Sequence, residues 1–457
     1  MNAGIARASW PSRAIRPERA ERHPGSALPK RRQQATRVGE PVPEVTFAEF
    51  AERGGFSGRR VPIEGTVETT FRCNLRCAHC YVNEPVGARE IQVRELPRER
   101  LLALVDEVAD AGTLFLLLTG GEVLVRPDFR EVYLHALSRG LLVTVFTNGT
   151  LVTEEIADLF AEHRPERVEI TLYGMTRETY ERVTQVPGSY DKCLAGIRRL
   201  VARGVTLGLK TIALAWNYHE VQAMEAYARG LGLPFRFDSS LNPRVDCGAN
   251  RNGELQLSAE RAFALDAQDP ARIAELKAFC DRFARPERPR DTEHLYTCGA
   301  GEMSFTVDPY GRLQMCQLSR KNSFDLREDR FERGWNEFFP AQRARTWRSN
   351  GVCRTCNLLS LCSSCTGAAE METGDPEGIV PQFCELTHLR AWAAMGEASG
   401  HRRDASCCLG RALEAVRAGA EAPAPGGCGS GCGSGEPPGE RLIQVQRRRP
   451  APAPPAS

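Results

Sequence analysis

Residues 70–81 read Thr70-Phe-Arg-Cys-Asn-Leu-Arg-Cys-Ala-His-Cys-Tyr81 and place Cys73, Cys77 and Cys80 in a C-x3-C-x2-C spacing. Three thiolates can hold three corners of a 4Fe-4S cubane, and the fourth iron then needs a ligand from outside the protein. A zinc knuckle or a group of buried thiols would use the same residues. Zinc, however, usually takes four nitrogen or sulfur ligands, often in paired C-x2-C spacings. The loop therefore favours an iron-sulfur site with one open iron.

Length and composition indicate a large globular protein. The chain has 457 residues, of which 42% are hydrophobic and 26% charged. Its net charge of +2 predicts no strong attraction to a polyanion, so nucleic acid is not an expected partner. No apolar run approaches the roughly 18 residues of a membrane span, and the N-terminus lacks an apolar signal region, which predicts a cytoplasmic protein without a membrane partner. Seventeen cysteines in such a chain indicate metal or redox chemistry.

Short apolar runs alternate with amphipathic segments from about residue 64 onward. The apolar runs predict strands at 65–70, 114–118, 142–146, 168–172, 207–212 and 235–237. The amphipathic segments predict helices at 98–111, 128–138, 154–162, 191–203 and 218–231. This alternation is typical of an α/β protein with a parallel sheet, and six such units make an open, partial (β/α)6 TIM barrel. In barrels the loops after the strands carry the site, and the cysteine loop follows the first strand directly.

Composition predicts six segments along the chain. They are a disordered Arg/Pro-rich tail (1–42), the barrel (64–245), a loosely patterned linker (246–297), a cysteine-rich region (298–390), a helical extension (391–420) and a low-complexity Gly/Pro/Cys tail (421–457). A transit peptide is the alternative for the first segment, but Glu18 and Glu21 interrupt it and such peptides are poor in acidic residues. The cysteine-rich region shows little apolar periodicity, so we expect metal to supply what its core lacks.

Polar residues at the ends of later strands are further site candidates. Gly120, Gly121 and Glu122 end the second strand, and two glycines allow a close backbone approach. Thr171 ends the fourth strand, and His79 precedes the third cysteine. Each has an ordinary alternative, namely a strand-ending turn, a hydroxyl that caps a helix and a surface histidine. Charged residues of the sixth strand, Arg236 and Asp238, face either the site or the outside of the sheet.

A second set of cysteines follows the barrel. Cys298 and a Gly-x4-Cys316 step lead to Cys353-x2-Cys356-x5-Cys362-x2-Cys365-x18-Cys384. Zinc ribbons imitate part of this pattern. With the cysteine loop and the Gly-Gly-Glu motif, it closely resembles the radical S-adenosylmethionine (SAM) enzymes that carry a C-terminal SPASM domain. The resemblance covers most of the chain, from about 64 to 390.

This resemblance implies a cofactor set. The amino and carboxylate groups of SAM would complete a 4Fe-4S cluster on the three loop cysteines. Gly120, Gly121 and Glu122 match the positions that meet the methionine amino group, Thr171 the position near the ribose, and His79 the position against the adenine. Catalytic residues beyond these ligands are not assigned.

The resemblance also implies up to two auxiliary 4Fe-4S clusters. The outer cluster would be held by Cys353, Cys356, Cys362 and Cys384, and the inner one by Cys298, Cys316 and Cys365. The usual spacing has three residues before the sixth cysteine, whereas this chain has two before Cys365. The inner cluster lacks an obvious fourth cysteine. Either one iron is open, or Cys247 or Cys280 supplies the ligand.

The implied reaction begins with reductive cleavage of SAM to methionine and a 5'-deoxyadenosyl radical, which abstracts hydrogen from a substrate carbon. Most members of the resembled family modify peptides or proteins, so a peptide or protein substrate is expected, with a flavodoxin or ferredoxin as reductant. A small-molecule or tetrapyrrole substrate is the enzymatic alternative. A non-enzymatic iron-sulfur electron carrier is the alternative from a different class.

Overall fold

The computed structural model describes residues 56, 59–82, 84–245, 252–283, 293–356, 358–362 and 365–396. The elements below all belong to the unit Gly58–Ser457. The predicted tails 1–42 and 421–457, and Cys247, lie outside the described residues. None of the described helices is long and apolar enough to cross a membrane.

A nine-stranded sheet forms the framework. Its strands are β1 (Glu64–Thr70), β2 (Phe115–Gly120), β3 (Leu142–Thr147), β4 (Arg167–Thr171), β5 (Leu207–Ile212), β6 (Phe235–Asp238), β7 (Ser304–Val307), β8 (Arg312–Gln314) and β9 (Phe324–Asp325). Their order is β9-β8-β7-β1-β2-β3-β4-β5-β6. The strands from β7 to β6 in this order are parallel, whereas β8 and β9 each run antiparallel to the preceding strand. The order is linear, so the six predicted strands form an open barrel as expected.

Ten helices of eight or more residues occur in the described part of the chain. They are α1 (Arg98–Asp110), α2 (Phe129–Ser138), α3 (Glu154–Glu162), α4 (Arg177–Thr184), α5 (Ser189–Ala202), α6 (Val221–Gly230), α7 (Ala259–Ala267), α8 (Pro270–Phe283), α9 (Thr366–Thr373) and α10 (Pro381–Met395). Short turns are Arg89–Gln92, Val123–Val125, Tyr218–Glu220, Asn252–Leu255, Phe331–Arg333, Gly334–Phe338, Phe339–Arg343, Val352–Thr355 and Leu359–Leu361.

Helix α4 is absent from the sequence prediction because its residues are mostly polar. It begins after Thr176, whose hydroxyl accepts a hydrogen bond from the Thr179 backbone N–H at 3.2 Å. Only a narrow stripe that includes Tyr180 and Val183 is buried. The helix packs against α5, and the carbonyls of its last residues accept hydrogen bonds from the cysteine loop.

The segment 246–297 is not the loose linker that its pattern suggested. Its described part contains Asn252–Leu255, α7 and most of α8, and both labelled helices pack against α10. Leu255, Leu257 and Ala262 are fully buried. The segment has too few apolar residues to show a clear hydrophobic periodicity. Its helices are covered largely by α10, which is remote in sequence, so a local pattern did not predict them.

The cysteine-rich region also differs from expectation, because its strands extend the barrel sheet. Strand β7 pairs in parallel with β1, so the predicted boundary at residue 298 falls inside one continuous sheet. Phe305, Phe331, Phe338 and Phe339 are among the largest fully buried side chains of the described residues. These aromatic side chains belong to the same buried core as the barrel, and they were missed because they lie in short, irregular elements.

Candidate active site

The three loop cysteines lie at the carboxyl end of β1. Cys73 and Cys77 are buried and Cys80 is partly exposed. Burial is the main cause that raises the pKa of Cys73 to about 12, with smaller contributions from the neighbouring Glu122 and Cys80. Burial also raises the pKa of Cys77, with Cys80 and Cys73 as the neighbouring charges. The three thiols therefore share one partly dry site, in which a bound cation or cluster would be needed to stabilise their thiolates.

Polar donors surround the Cys73 sulfur. The Leu75 backbone N–H donates to it at 3.3 Å and the Asn148 side-chain amide at 3.7 Å. Asn148 also donates to Asn74 at 2.9 Å, which fixes the amide against the loop. The Tyr173 hydroxyl hydrogen-bonds Cys77. Such donors stabilise sulfur ligands in iron-sulfur sites.

The cysteine loop is anchored at its start and at its centre. At its start, Arg72 donates two 3.0 Å hydrogen bonds to the buried carboxylate of Glu95, which also accepts from Thr70 at 2.5 Å. At its centre, the backbone N–H groups of residues 76 and 78 donate to the carbonyls of Thr184 and Val183 at the end of α4. The loop is therefore held by the protein itself.

Gly120 and Gly121 bring the end of β2 against the start of the cysteine loop. The Gly121 N–H donates to the Thr70 carbonyl at 2.7 Å. A Cβ atom at Gly120, which has φ +134°, would lie 2.1 Å from the Thr70 carbonyl oxygen, and one at Gly121 would lie 2.5 Å from the Arg72 carbonyl oxygen. Only glycine allows this approach. The motif therefore has a packing role here, and contact with SAM stays a prediction.

Glu122 ties together the ends of β2 and β3. Its side chain is buried and accepts hydrogen bonds from the Thr147 hydroxyl at 2.7 Å, the Asn148 N–H at 2.7 Å and the Leu124 N–H at 3.1 Å. Burial raises the pKa of this carboxyl, and the three donors oppose the rise. Since Asn148 reaches the Cys73 sulfur, Glu122 positions a donor to the cysteine site.

For His79 and Thr171, the ordinary alternatives were a surface histidine and a hydroxyl that caps a helix. The His79 ring lies edge-on to Tyr173 with 5.0 Å between centroids, and its Nδ1 is buried with no hydrogen-bond partner among the described residues. The residue as a whole is partly exposed, but its Nδ1 is shielded from solvent, and burial lowers its pKa to about 4. Thr171 ends β4 and is partly buried, and the hydroxyl that caps the following helix belongs to Thr176. Cofactor contact by either residue stays a prediction.

The predicted inner set of cysteines comes together in space. Burial raises the pKa of Cys316 to about 11, and the thiols of Cys365 and Cys298 contribute as close neighbours. The Ala368 N–H at the start of α9 donates to the Cys365 sulfur at 3.4 Å. The shortened spacing before Cys365 thus does not separate it from the other two. Cys280 is buried, and the described contacts do not place it in this set.

The predicted outer set lines one cavity. The cavity is lined by these four cysteines, by His388 and Thr387, and by five apolar residues, Val352, Leu358, Leu359, Ile379 and Val380; the cysteines are Cys353, Cys356, Cys362 and Cys384. The His388 Nδ1 lies 3.8 Å from the Cys384 sulfur and 2.6 Å from the Cys384 carbonyl oxygen. A cavity with four thiols in an apolar wall suits a metal cluster shielded from water.

Comparison with known proteins gives a consistent family. Residues 67–227 match the family model of the radical SAM superfamily. These residues form a radical SAM domain. The AdoMet-dependent heme synthase of Methanosarcina barkeri is 27% identical over 67% of this chain and 92% of its own length. The mycofactocin maturase MftC of Mycolicibacterium smegmatis is 28% identical over 76% of this chain and 87% of its own length.

A solved structure of Streptococcus suis SuiB bound to the precursor peptide SuiA has the same fold, with a TM-score of 0.56 and 14% identity over 73% of this chain and 78% of that one. The predicted radical SAM/SPASM recognition, the α/β partial barrel and the enzyme class are confirmed. The predicted cofactors, a 4Fe-4S cluster and SAM, are confirmed as well. The non-enzymatic electron carrier is therefore set aside.

The residues of this radical SAM enzyme fit a cluster better than a single metal ion. Within the described ranges, no three His, Cys, Asp or Glu side chains converge tightly enough to hold one ion. A cubane needs wider spacing, because each thiolate binds a different iron atom. Convergent thiols, sulfur-directed donors and the orphaned His79 Nδ1 fit a cluster with an organic cofactor beside it.

A buried ion pair between the two cysteine regions was missed by the sequence reasoning. Glu68 on the inner face of β1 is 0% exposed and accepts two hydrogen bonds from Arg320, at 2.9 and 2.8 Å. It also accepts one from the Tyr81 hydroxyl at 3.1 Å. Tyr81 follows Cys80, and Arg320 lies four residues after Cys316. An acid within the predicted strand 65–70 was the available signal.

Replacing Arg320 with lysine should lower the free energy of unfolding by about 1.5–3 kcal/mol, because lysine keeps the charge but cannot make the paired hydrogen bonds to buried Glu68. Denaturant unfolding of the metal-free protein measures this. The matched control is Arg348→Lys. The Arg348 side chain is 69% exposed, so its ion pair with Asp375 should contribute less than about 1 kcal/mol. Equal losses in the two variants would contradict the assigned role of the buried pair.

Proposed function

We propose that this radical SAM enzyme modifies a side chain of a peptide or protein. The observation that carries the proposal is that three groups of cysteines, with three, three and four members, lie on one scaffold, and the first of them is at the carboxyl rim of the open barrel. When bound, the cluster of the first group and SAM supply a carbon-centred radical. MftC, a maturase, is similar over 87% of its length, and SuiB holds a precursor peptide on the same fold.

The chain's own residues have positioning roles in this proposal. Cys73, Cys77 and Cys80 hold the SAM-binding cluster, and Glu122 orients Asn148 toward the Cys73 sulfur. His79 and Tyr173 form the wall beside the loop, where a flat adenine ring would pack. The low pKa of His79, about 4, keeps its imidazole neutral at pH 7.

Two auxiliary clusters are part of the proposal. The inner one takes Cys298, Cys316 and Cys365, and its fourth ligand is open to the substrate or to Cys247. The outer one takes Cys353, Cys356, Cys362 and Cys384, within the apolar cavity. Reduction by a flavodoxin or ferredoxin and a cytoplasmic location stay predictions.

The test begins with anaerobically reconstituted protein, SAM and dithionite, which should yield 5'-deoxyadenosine. Short peptides encoded beside the gene are then added, and mass spectrometry follows the change in each peptide. The similarity to a heme synthase favours a second candidate, a tetrapyrrole substrate. An iron porphyrin that changes mass while every peptide stays unchanged would decide for that candidate.

Replacing Cys353 and Cys356 together with alanine should remove about four irons from the reconstituted protein, because a cluster cannot persist with half of its thiolates. The variant should still form 5'-deoxyadenosine but no modified peptide. Iron analysis and product assays measure the two effects. Cys193→Ala, in the buried face of α5, is the control and should keep all irons. An unchanged iron content in the double variant would contradict the outer-cluster assignment.

A further inference from the structure

Charged residues of three adjacent strands share one face of the sheet. Glu169 on β4 pairs in register with Phe146 on β3. Lys210 on β5 pairs with Thr171 on β4 and with Arg236 on β6. Side chains alternate along a strand, so Glu169 and Thr171, two residues apart, point the same way. Phe146, Glu169, Lys210 and Arg236 therefore lie on one face.

This face is the inner one. The residues that alternate with it, Val145, Val168, Ile170 and Leu209, are at most 1% exposed and belong to the core that the surrounding helices cover. The sequence left the direction of Arg236 open, and the register settles that it points into the barrel. Lys210 and Arg236 each lie two residues before the ends of their strands, one layer below the carboxyl rim.

Direct contacts join the cluster. Arg236 donates to a Glu169 carboxylate oxygen at 2.5 Å, and the Lys210 ammonium lies 3.4 Å from the same oxygen. The Lys210 ammonium also lies over the Phe146 ring, 2.7 Å from its centre. The Lys210 and Glu169 side chains are 17% and 12% exposed, whereas that of Arg236 is 60% exposed. The guanidinium is thus the part of the cluster that a ligand can reach.

Of the two carboxylates on this face, Glu169 and Asp238, the described contacts place Glu169 against the basic side chains. Within the described contacts, Lys210 and Arg236 share the single carboxylate of Glu169. Asp238, on the same face, accepts a hydrogen bond from the Ser240 N–H of its own loop at 2.9 Å. Burial is the main cause that lowers the pKa of Lys210 to about 7; the Glu169 carboxylate opposes this shift, and the Arg236 guanidinium adds to it. The Arg236 guanidinium has five N–H donors and its side chain is 60% exposed, so it can bind a second carboxylate beside Glu169.

We propose that Lys210 and Arg236 bind a carboxylate of the substrate, either an acidic side chain or the C-terminus of a peptide, inside the barrel below the cysteine loop. The inference rests on the proposed function for the identity of the substrate. Two cations one layer below the rim would hold an anchoring carboxylate while another part of the peptide lies at the rim. Arginine and lysine form charge-assisted hydrogen bonds with carboxylates, and the planar guanidinium does so in pairs.

The test uses three N-acetylated probes and the reconstituted enzyme with SAM. They are pentaglycine with a free carboxylate, pentaglycine amide, and the same amide with a central aspartate. Calorimetry should show about tenfold tighter binding of at least one carboxylate probe than of pentaglycine amide. The preferred probe identifies the source of the carboxylate. Equal binding of all three probes would overturn the proposal.

Variants assign the preference to the cluster. Arg236→Gln, at an exposed side chain, should erase the preference, whereas Glu169→Gln should strengthen it because the competing carboxylate is gone. If the cluster were only structural, both variants would bind the carboxylate probes more weakly. The control is Arg272→Gln, whose guanidinium lies 3.7 Å from the centre of the Phe237 ring, on the other face of the same strand. That variant should keep the preference.

Two further readouts separate this proposal from its alternatives. If Arg236→Gln weakens SAM binding but leaves the peptide preference intact, the cations serve the cofactor and the proposal is wrong. 5'-Deoxyadenosine formation without added probe is measured in parallel. Its absence from the wild-type enzyme would refute the proposed function, whereas its presence without a carboxylate preference would refute this site alone.

Discussion

Replacing Cys73, Cys77 and Cys80 together with alanine should abolish 5'-deoxyadenosine formation and remove about four irons from a total of about twelve. The three thiols share one site with donors directed at sulfur, so their removal takes away the three protein ligands of the cluster. Product analysis after reaction with SAM and dithionite measures the activity, and iron analysis measures the clusters.

The remaining irons serve as the internal control for that variant. About eight should stay bound, because the auxiliary cysteines lie on other elements. A variant that keeps those irons has folded, so its lost activity can be assigned to the loop. Formation of 5'-deoxyadenosine at the wild-type rate would refute the assignment of these cysteines as the SAM-binding cluster.

Gly120→Ala should lower the free energy of unfolding by about 3–5 kcal/mol, one of the largest effects expected of a single methyl group. The new Cβ would lie 2.1 Å from the Thr70 carbonyl oxygen, and alanine disfavours a φ of +134°. Relaxation would have to move the end of β2 or the start of the cysteine loop. Cluster assembly should therefore fail together with stability, as measured by denaturant unfolding and iron content.

Two other glycines separate the causes. Gly140→Ala meets a positive φ of +79° but no atom within 4 Å, so it should cost only about 1 kcal/mol. Gly121→Ala has no positive φ but would meet the Arg72 carbonyl oxygen at 2.5 Å. A loss in Gly121→Ala close to that in Gly120→Ala would assign the effect to the close approach. If Gly120→Ala lowered the free energy of unfolding no more than Gly140→Ala does, the close approach would not be what requires glycine at position 120.

The sequence alone determined the class of protein and the order of its parts. Cysteine spacing within one loop is fixed by the covalent chain, so the C-x3-C-x2-C stretch predicts its chemistry before any fold is known. The alternation of apolar runs and amphipathic segments is also local, and the six barrel strands lie within a few residues of their predicted positions. The grouping of the distant cysteines came from resemblance to a family.

Only the tertiary structure decided which distant residues meet. Glu122 contacts Asn148, Glu68 pairs with Arg320, and Lys210 shares Glu169 with Arg236, each across different elements. Strand β7 joins β1 although more than 200 residues separate them. Such contacts depend on strand register and on the packing of elements that are remote in sequence, and a local pattern carries no information about either. For this reason the cysteine site was predictable, whereas the polar contacts that position it, and the charged inner face of the barrel, were not.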